Sequence, residues 1–186
     1  MRTILIIFIG LLIISRIDAQ EAETKKELKK EASKKKKEEK RAEAEKQYLE
    51  TGKLLNSKKF VLEAEYLRDK MGAPQKINST LNFISVDSIN AVIQVGSVQR
   101  FGANGVGGVT THGKIANWRV DKNDKKKSYD LFMTINASRG VYDVNMTVDY
   151  SGHAEATLMT YTSAKITFDG SLVPLKETST YRGQGF

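Results

Sequence analysis

The stretch YDLFMTINASRGVYDVNMTVDYSGHAEATL, residues 129–158, decides the fold class of this protein. Apolar side chains occupy every second position in three runs, and the turn sequences Ser138-Arg139-Gly140 and Ser151-Gly152 separate the runs. Alternation with a period of two is typical of a strand that buries one face. The stretch therefore predicts three consecutive antiparallel strands joined by short turns.

The same period of two continues on both sides of this stretch. With the three central runs it predicts about eight strands, the others being Phe60–Leu67, Thr80–Val86, Ile89–Val95, Lys114–Val120 and Ala164–Leu172. No helix-length apolar pattern lies between these runs, which excludes parallel β-α-β units. We expect an all-β fold, an antiparallel meander that forms a barrel or a sandwich. In the last run, Gly170 marks either a bulge or, with Asp169, a hairpin turn that splits the strand.

Residues 1–19, at the start of the chain, have the form of a signal peptide. A basic residue at position 2 precedes an apolar run from Ile4 to Ile14, which is too short for a membrane-spanning helix, and the small residue Ala19 precedes the expected cleavage. An uncleaved anchor is the alternative, but charged residues end the apolar run early. We expect an exported protein, soluble after signal cleavage, in the periplasm or cell envelope.

The next segment, residues 20–47, is rich in Lys, Glu and Ala and contains no Gly or Pro, which predicts a solvated charged helix. We interpret it as a semi-rigid arm or spacer. Four consecutive lysines, Lys34, Lys35, Lys36 and Lys37, also offer a weak contact with a polyanion, although export argues against nucleic acid as the partner. Apolar residues return at Tyr48–Asn56, which predicts a helical turn that docks the arm onto the β domain, residues 48–186.

Composition and motifs argue against most catalytic chemistries. The 186-residue chain has a net charge of +8, no cysteine and only two histidines. Disulfides, Cys-ligated zinc, iron–sulfur clusters and thiol catalysis are excluded, and we expect neither a metal site nor a cofactor. Gly108 and Gly113-Lys114 have the spacing of a phosphate-binding loop, but Ile115 stands where Ser or Thr is needed and a strand follows instead of a helix. Since no nucleophile motif is present either, we predict that the protein is not an enzyme.

Candidate ligand-binding residues come from the predicted interior and from a glycine-rich loop. Tyr66, Phe83 and Trp118 are aromatic residues at inward positions of the alternation, where core packing is the default role. Inside a barrel such side chains also line any apolar cavity that the core leaves open. The loop between residues 102 and 113 adds Asn104 and His112 as rim contacts. These five residues are predicted to bind a small apolar ligand if such a cavity exists.

Several of these segments resemble a known family. They are KKFVLEAEYL (58–67), NSTLNFISVDSINAVIQV (78–95), GANGVGGVTTHGKI (102–115), VYDVNMTV (141–148), SGHAEATL (151–158) and FDGSLVPLKETSTYRG (168–183). Together they are similar to exported proteins of Bacteroidetes that share the domain of unknown function 4251. The resemblance implies a signal peptide, a single β-rich domain and a periplasmic or envelope location. It implies no catalytic residue and no ligand.

Two functions lead at this point, ahead of the hydrolysis of a glycan or peptide by unrecognised carboxylates. The export signal, the β domain, the spacer-like arm and the lack of catalytic motifs favour a non-enzymatic binding or structural module of the cell envelope. The alternative is a lipocalin-like carrier of a small apolar ligand. A response of the Trp118 fluorescence to lipids, haem or sterols, or a small molecule that co-purifies with the protein, would distinguish the carrier from a structural module.

Overall fold

A computed structural model describes residues 2–68, 71–97, 105–161 and 165–183 of the chain, with side chains from Glu27 onward. The regular secondary structure of these described residues consists of one helix and nine strands. The helix α1 spans Arg2–Ser57. The strands are β1 (Lys59–Arg68), β2 (Pro74–Lys76), β3 (Phe83–Asp87), β4 (Asn90–Val95), β5 (Val109–Asn123), β6 (Ser128–Ala137), β7 (Gly140–Asp149), β8 (His153–Thr160) and β9 (Lys165–Pro174).

The chain divides into two compact units, Met1–Glu43 and Ala44–Phe186. In the first unit the described residues all belong to α1, and every side chain from Glu27 to Glu43 is exposed. The charged helix that the sequence predicts before the strands is therefore observed. The second unit contains the last turns of α1 and all nine strands. None of the helical residues with described side chains forms an apolar stretch long enough to cross a membrane.

The strands form one antiparallel sheet that closes on itself. Eight of them follow one another in the order β1, β3, β4, β5, β6, β7, β8, β9, and β9 pairs back with β1. The short β2 is an additional strand that pairs with the end of β1, at Tyr66–Arg68. Closure satisfies both edges of the eight strands with hydrogen bonds. The predicted antiparallel meander is confirmed, and of the two predicted architectures the structure is the barrel.

A β-bulge in β1 allows this strand to bend around the barrel. The extra residue is Glu65, which lies between the pairs Ala64–Gly170 and Tyr66–Asp169. A Cβ atom on Gly170 would lie only 2.8 Å from the Cα atom of Ala64, so this close approach of β1 and β9 requires glycine. The alternative of a hairpin turn at Asp169-Gly170 is wrong, because β9 continues through both residues.

The main core fills the interior of the barrel. Every second residue of the strands points inward, and the central runs contribute Tyr129, Leu131, Met133, Ile135, Val144, Met146, Val148, Ala154, Ala156 and Leu158. The last turns of α1 close one end of this core. Tyr48, Thr51 and Leu55 are buried there, and their spacing of three and four residues places them on one face of the helix. The helical segment predicted to dock at residues 48–56 therefore packs on the barrel.

A second apolar cluster lies on the outer face of the barrel. It consists of Val61, Phe83 and Val92, with Val173 and Leu175 packed against it. The C-terminal tail, which we define as residues 175–183, runs over this face. Its backbone and side chains bond to β1, β3, β4 and the segment before β3. Burial on the outer face shows why these strands are apolar at positions on both faces.

Candidate functional site

The five predicted ligand-binding residues do not share one site in the structure. Asn104 lies outside the described residues. Of the other four, Tyr66 and His112 are exposed, Phe83 is buried on the outer face, and Trp118 is half-buried against the core. Of three cavities lined by described residues, one includes His112 and the other two include none of these residues. A ligand role for these residues stays a prediction, without a common cavity to support it.

The bulge at Glu65 explains the position of Tyr66. Simple alternation from Phe60 places Tyr66 in the interior, but the extra residue reverses the faces beyond Ala64. Leu67 packs against the core instead, and Tyr66 is 38% exposed. The predicted inward position of Tyr66 is therefore wrong.

Phe83 and His112 both belong to the outer face of the barrel. Phe83 is fully buried, but by Val61, Val92 and the C-terminal tail rather than by the barrel core. His112 was expected in a loop, whereas β5 begins at Val109 and pairs His112 with Val92. Because Val92 faces outward, His112 opposite it does so too.

Trp118 lies in the interior beside the residues that follow α1. Its ring is 6.1 Å from the ring of Phe60, and the ammonium group of Lys58 lies 4.9 Å from its centre. A second bulge, between the pairs of Ile115 and Asn117, precedes it in β5. These contacts account for Trp118 as a core residue.

A cavity of about 140 Å³ opens at the barrel end where β5, β7 and β9 begin and β4 and β8 finish. α1 closes the other end, where Thr51 reaches the Tyr150 carbonyl just after β7. The lining residues are Ile93, Val95, Val109, Thr111, Tyr142, Leu158, Thr160, Lys165, Ile166 and Phe168. The cavity is therefore a part of the barrel interior that the described residues leave unfilled, and we call the barrel end at which it lies the mouth.

The walls of this mouth cavity change in character from floor to rim. Ile93, Leu158 and Phe168 are buried and form an apolar floor, while Val109 and Ile166 are partly exposed at the rim. Hydroxyl groups come from Thr111, Tyr142 and Thr160, and the only charged lining residue is Lys165. An apolar pocket with a few polar groups is the usual form of a small-molecule site. This mouth cavity is our candidate site.

Sequence reasoning identified part of this lining but not the cavity. The alternation predicts inward positions for Ile93, Tyr142, Leu158 and Phe168, and all four do face the barrel interior. Nothing in the sequence indicates that the described side chains fill the interior at the α1 end and leave a cavity at the opposite end. The polar residues Thr111, Thr160 and Lys165 carry no signal in the sequence, because their proximity depends on which strand ends meet around the barrel.

The closed end of the barrel carries a polar cluster around Tyr48. Its hydroxyl donates to the Asp124 carboxylate at 3.3 Å, and the ammonium groups of Lys122 and Lys127 lie 5.2 and 5.1 Å from its ring centre. Burial, and next the charge of Asp124, raise the pKa of Tyr48 to about 12. Lys127 also pairs with Glu45 of α1. These contacts join the β5–β6 turn to the helix and indicate a structural role.

Another polar cluster lies on the outer face of the barrel, on β1, β8 and β9. Arg68 pairs with Glu155 and, at 3.1 Å, with Asp169, and His153 lies 3.5 Å from the same Asp169 carboxylate. Nowhere among the described side chains do three or more potential metal ligands converge. Partly exposed pairs of this kind join neighbouring strands and contribute little to stability.

Comparisons with known proteins agree with the fold and the resemblance. The model of the family Domain of unknown function (DUF4251) matches residues 42–172. The crystal structure of a DUF4251 family protein from Bacteroides eggerthii DSM 20697 superposes with a TM-score of 0.59 at 25% sequence identity, covering 71% of this chain and 90% of that one. Among curated proteins, none matches the chain significantly. Since the family model covers well over half of the chain and the resemblance seen in its sequence is confirmed, this protein belongs to the DUF4251 family.

Proposed function

We propose that this protein is a non-enzymatic binding module of the cell envelope that takes a small apolar group into the mouth of its barrel. The mouth cavity carries this proposal. At its apolar floor, with Ile93, Leu158 and Phe168, core side chains leave room for a guest inside the barrel. A purely structural module has no need of such a space, because an unfilled apolar cavity lowers stability.

The size of the cavity limits the guest. Ligand pockets for drug-sized molecules measure about 300–1,000 Å³. A dry apolar cavity of about 150 Å³ is known to bind benzene, and the mouth cavity measures about 140 Å³. The expected guest is therefore an alkyl or aryl group of about six carbons, or the end of a longer chain, rather than a whole sterol or haem.

The proposal is tested by titrating the full chain with 1-hexanol while the methyl signals of the protein are followed by NMR. Methyl signals of Ile93, Leu158 and Ile166 are expected to shift together and to saturate, because these residues line the cavity. NMR is preferred to the fluorescence of Trp118, which is not among the lining residues. If no methyl signal of the lining moves at any alcohol concentration that the protein tolerates, the proposal is wrong.

A pair of matched variants connects the binding to the mouth. Val109 lies at the rim and is 44% exposed, whereas Val141 is 45% exposed on β7 and is not among the lining residues. Val109→Trp is expected to block the cavity and to weaken hexanol binding by about tenfold or more, since about three carbons lose their apolar contacts. Val141→Trp is expected to bind hexanol like the unaltered protein. Equal binding by both variants would place the alcohol elsewhere.

Export is a separate part of the proposal. The apolar run Ile4–Ile14 with its basic start and the small residue Ala19 support a cleaved signal peptide. The test is the intact mass of the protein isolated from the envelope of its own host. A chain that begins at Gln20 is expected, and a full-length chain with Met1 would contradict cleavage. Native mass spectrometry of the same sample would also reveal a co-purifying small molecule, which supports the carrier function, or a partner protein or wall fragment, which supports a structural one.

The lysines at positions 34–37 support only a weak polyanion contact. Four consecutive residues on a helix point around its whole circumference, because each is rotated by about 100° from the last. All four are exposed, with Glu38 and Glu39 directly after them. Replacing the four by Gln is expected to lower retention on a polyanionic matrix at low salt only. Unchanged retention would remove this contact from the proposal.

A further inference from the structure

The charge at the mouth cavity points to a more specific class of ligand. Of the ten lining residues, Lys165 alone carries a charge, and no acidic side chain belongs to the lining. Lys165 is exposed at the start of β9, next to the rim residue Ile166. We propose that the guest is a short alkyl carboxylate whose chain enters the mouth cavity and whose carboxylate pairs with Lys165. This inference rests on the proposed function, since it assumes that the cavity binds an apolar chain.

Lys165 is available for such a pair. Its ammonium group makes no ion pair with any residue that the structure describes. On the neighbouring strands, Asp169 pairs with Arg68, and Asp143 accepts a hydrogen bond from Thr134 at 2.9 Å. An unpaired lysine beside an apolar opening attracts an anionic head group and repels a cationic one.

The polar groups of the lining are also placed for a carboxylate. Lys165 pairs with Met159 and therefore starts on the outer side of β9, since its neighbour Ile166 pairs with the inward residue Leu158. Its long side chain can fold over the rim, with its methylene groups along the apolar surface and its ammonium group in water. Tyr142 is half-buried on the same lining, and its phenolic hydroxyl makes no hydrogen bond to another described residue. A carboxylate accepts a hydrogen bond from such a hydroxyl as well as from an ammonium group. The lining thus offers two donors to an anion and an apolar floor to its chain.

The test compares three ligands with the same chain and different head groups: hexanoate, 1-hexanol and hexylammonium. Each is titrated into the full chain at neutral pH and followed by the methyl signals of Ile93 and Ile166. Hexanoate is expected to bind about two- to fivefold more tightly than hexanol, because a partly exposed ion pair contributes only a small gain in binding free energy. Hexylammonium is expected to bind more weakly than hexanol.

Variants assign the preference to one side chain. Lys165→Gln is expected to reduce hexanoate binding to the level of hexanol and to leave hexanol binding unchanged. Lys165→Glu is expected to reverse the preference in favour of hexylammonium. The matched control is Lys114→Gln, which removes another exposed lysine, on β5, that is not among the lining residues, and it is expected to keep the preference for hexanoate.

The outcomes separate the two proposals. If hexanol and hexanoate bind equally, or if Lys165→Gln retains the preference, the inference about Lys165 is overturned while the proposed apolar site stands. If none of the three ligands moves the lining signals, the proposed function itself fails and the inference fails with it. A loss of hexanoate preference in Lys114→Gln as well would show that net charge, rather than the mouth, selects the anion, and this too overturns the inference.

Discussion

Gly52 lies on the buried face of α1 and packs against the ring of Tyr129. A Cβ atom at this position would lie 2.7 Å from Cζ of Tyr129 and nearer still to its hydroxyl oxygen. Movement of the ring would disturb its packing on Tyr48, with ring centres 4.7 Å apart, and the hydrogen bond that its hydroxyl donates to the Tyr48 carbonyl at 3.1 Å. Glycine is therefore required at position 52 because the ring of Tyr129 approaches the helix closely there, and not because of its helix propensity.

We predict that Gly52→Ala destabilises the protein, although alanine is the better helix former by about 1 kcal/mol. The overlap with Tyr129 is expected to outweigh this gain, with a net loss of about 1–2 kcal/mol in the free energy of unfolding, as for other overpacked cores. Urea denaturation of the full chain measures the difference. The neighbouring exposed change Lys53→Ala is the control and is expected to have little effect; a Gly52→Ala variant more stable than the unaltered protein would contradict the prediction.

Tyr48 leads to a prediction about pH. Burial and the charge of Asp124 raise the pKa of Tyr48 from its ordinary value of 10.0 to about 12 in the folded protein. Folding is then coupled to proton retention, so the contribution of Tyr48 to stability is fully present below pH 10 and is lost as the pH rises toward the folded pKa. The advantage of the unaltered protein over Tyr48→Phe in thermal denaturation is expected to shrink above pH 10. The exposed change Tyr161→Phe should follow the unaltered protein at every pH, and a constant gap for Tyr48→Phe would refute the coupling.

At the scale of elements, the C-terminal tail is held to the outer face of the barrel by Gln94. The side chain is fully buried, and its amide nitrogen donates to the carbonyls of Leu81 and Tyr181 at 3.1 and 2.8 Å. Its amide oxygen accepts from the hydroxyl of Thr110 at 2.8 Å and from the backbone N–H of Gly183 at 2.9 Å. One side chain of β4 thus joins β5, the segment before β3 and the tail.

We predict that Gln94→Leu releases this tail. The change keeps a side chain of similar length but leaves the partners of Gln94 without their hydrogen bonds, which is expected to cost about 2–3 kcal/mol. The measurement is limited proteolysis followed by intact mass, in which residues beyond 175 should be lost faster than from the unaltered protein. Gln75→Leu, the same change at an exposed position of β2, is the control. Equal rates for the two variants would show that Gln94 does not hold the tail.

At the scale of the whole molecule, the end of α1 belongs to the barrel and the rest of the helix does not. Tyr48 and Leu55 are completely buried in the barrel core, whereas the described side chains of the unit Met1–Glu43 are all exposed. A chain that begins at Ala44 is expected to have the same free energy of unfolding as the full chain. A chain that begins at Lys59 is expected to lose about 5 kcal/mol or more, since each of the two buried side chains contributes about 2–5 kcal/mol.

Thermal denaturation of the two shortened chains measures this difference. Because the shorter one can fail to fold altogether, Leu55→Ala in the full chain is the companion variant, with an expected loss of about 2–5 kcal/mol. A chain beginning at Lys59 that is as stable as the full chain would show that the helix end is not part of the core.

Local periodicity accounts for how far the sequence alone predicts this structure. Tyr129, Leu131 and Met133 face the core as predicted, because a strand with one buried face must alternate. The prediction fails for Tyr66, since a bulge depends on how β1 meets β9 and leaves no mark in the alternation of β1 itself. In the candidate site, Ile93 and Phe168 were predicted to be inward, but Lys165 was not identified. Its role depends on a rim formed by several strand ends.

The sequence by itself determined the class of the fold, the charged helix before it and the family. Each of these depends on local sequence patterns or on segments that can be compared directly with the sequences of a family. Only the tertiary structure decided that β1 and β9 close the sheet into a barrel, that the C-terminal tail covers an outer apolar cluster, and that the described side chains leave a cavity at one end of the interior. The physical reason is that strand closure and packing join residues about a hundred positions apart, such as Leu62 and Leu172. The alternation within one strand does not indicate which side chains from distant parts of the chain will pack against it.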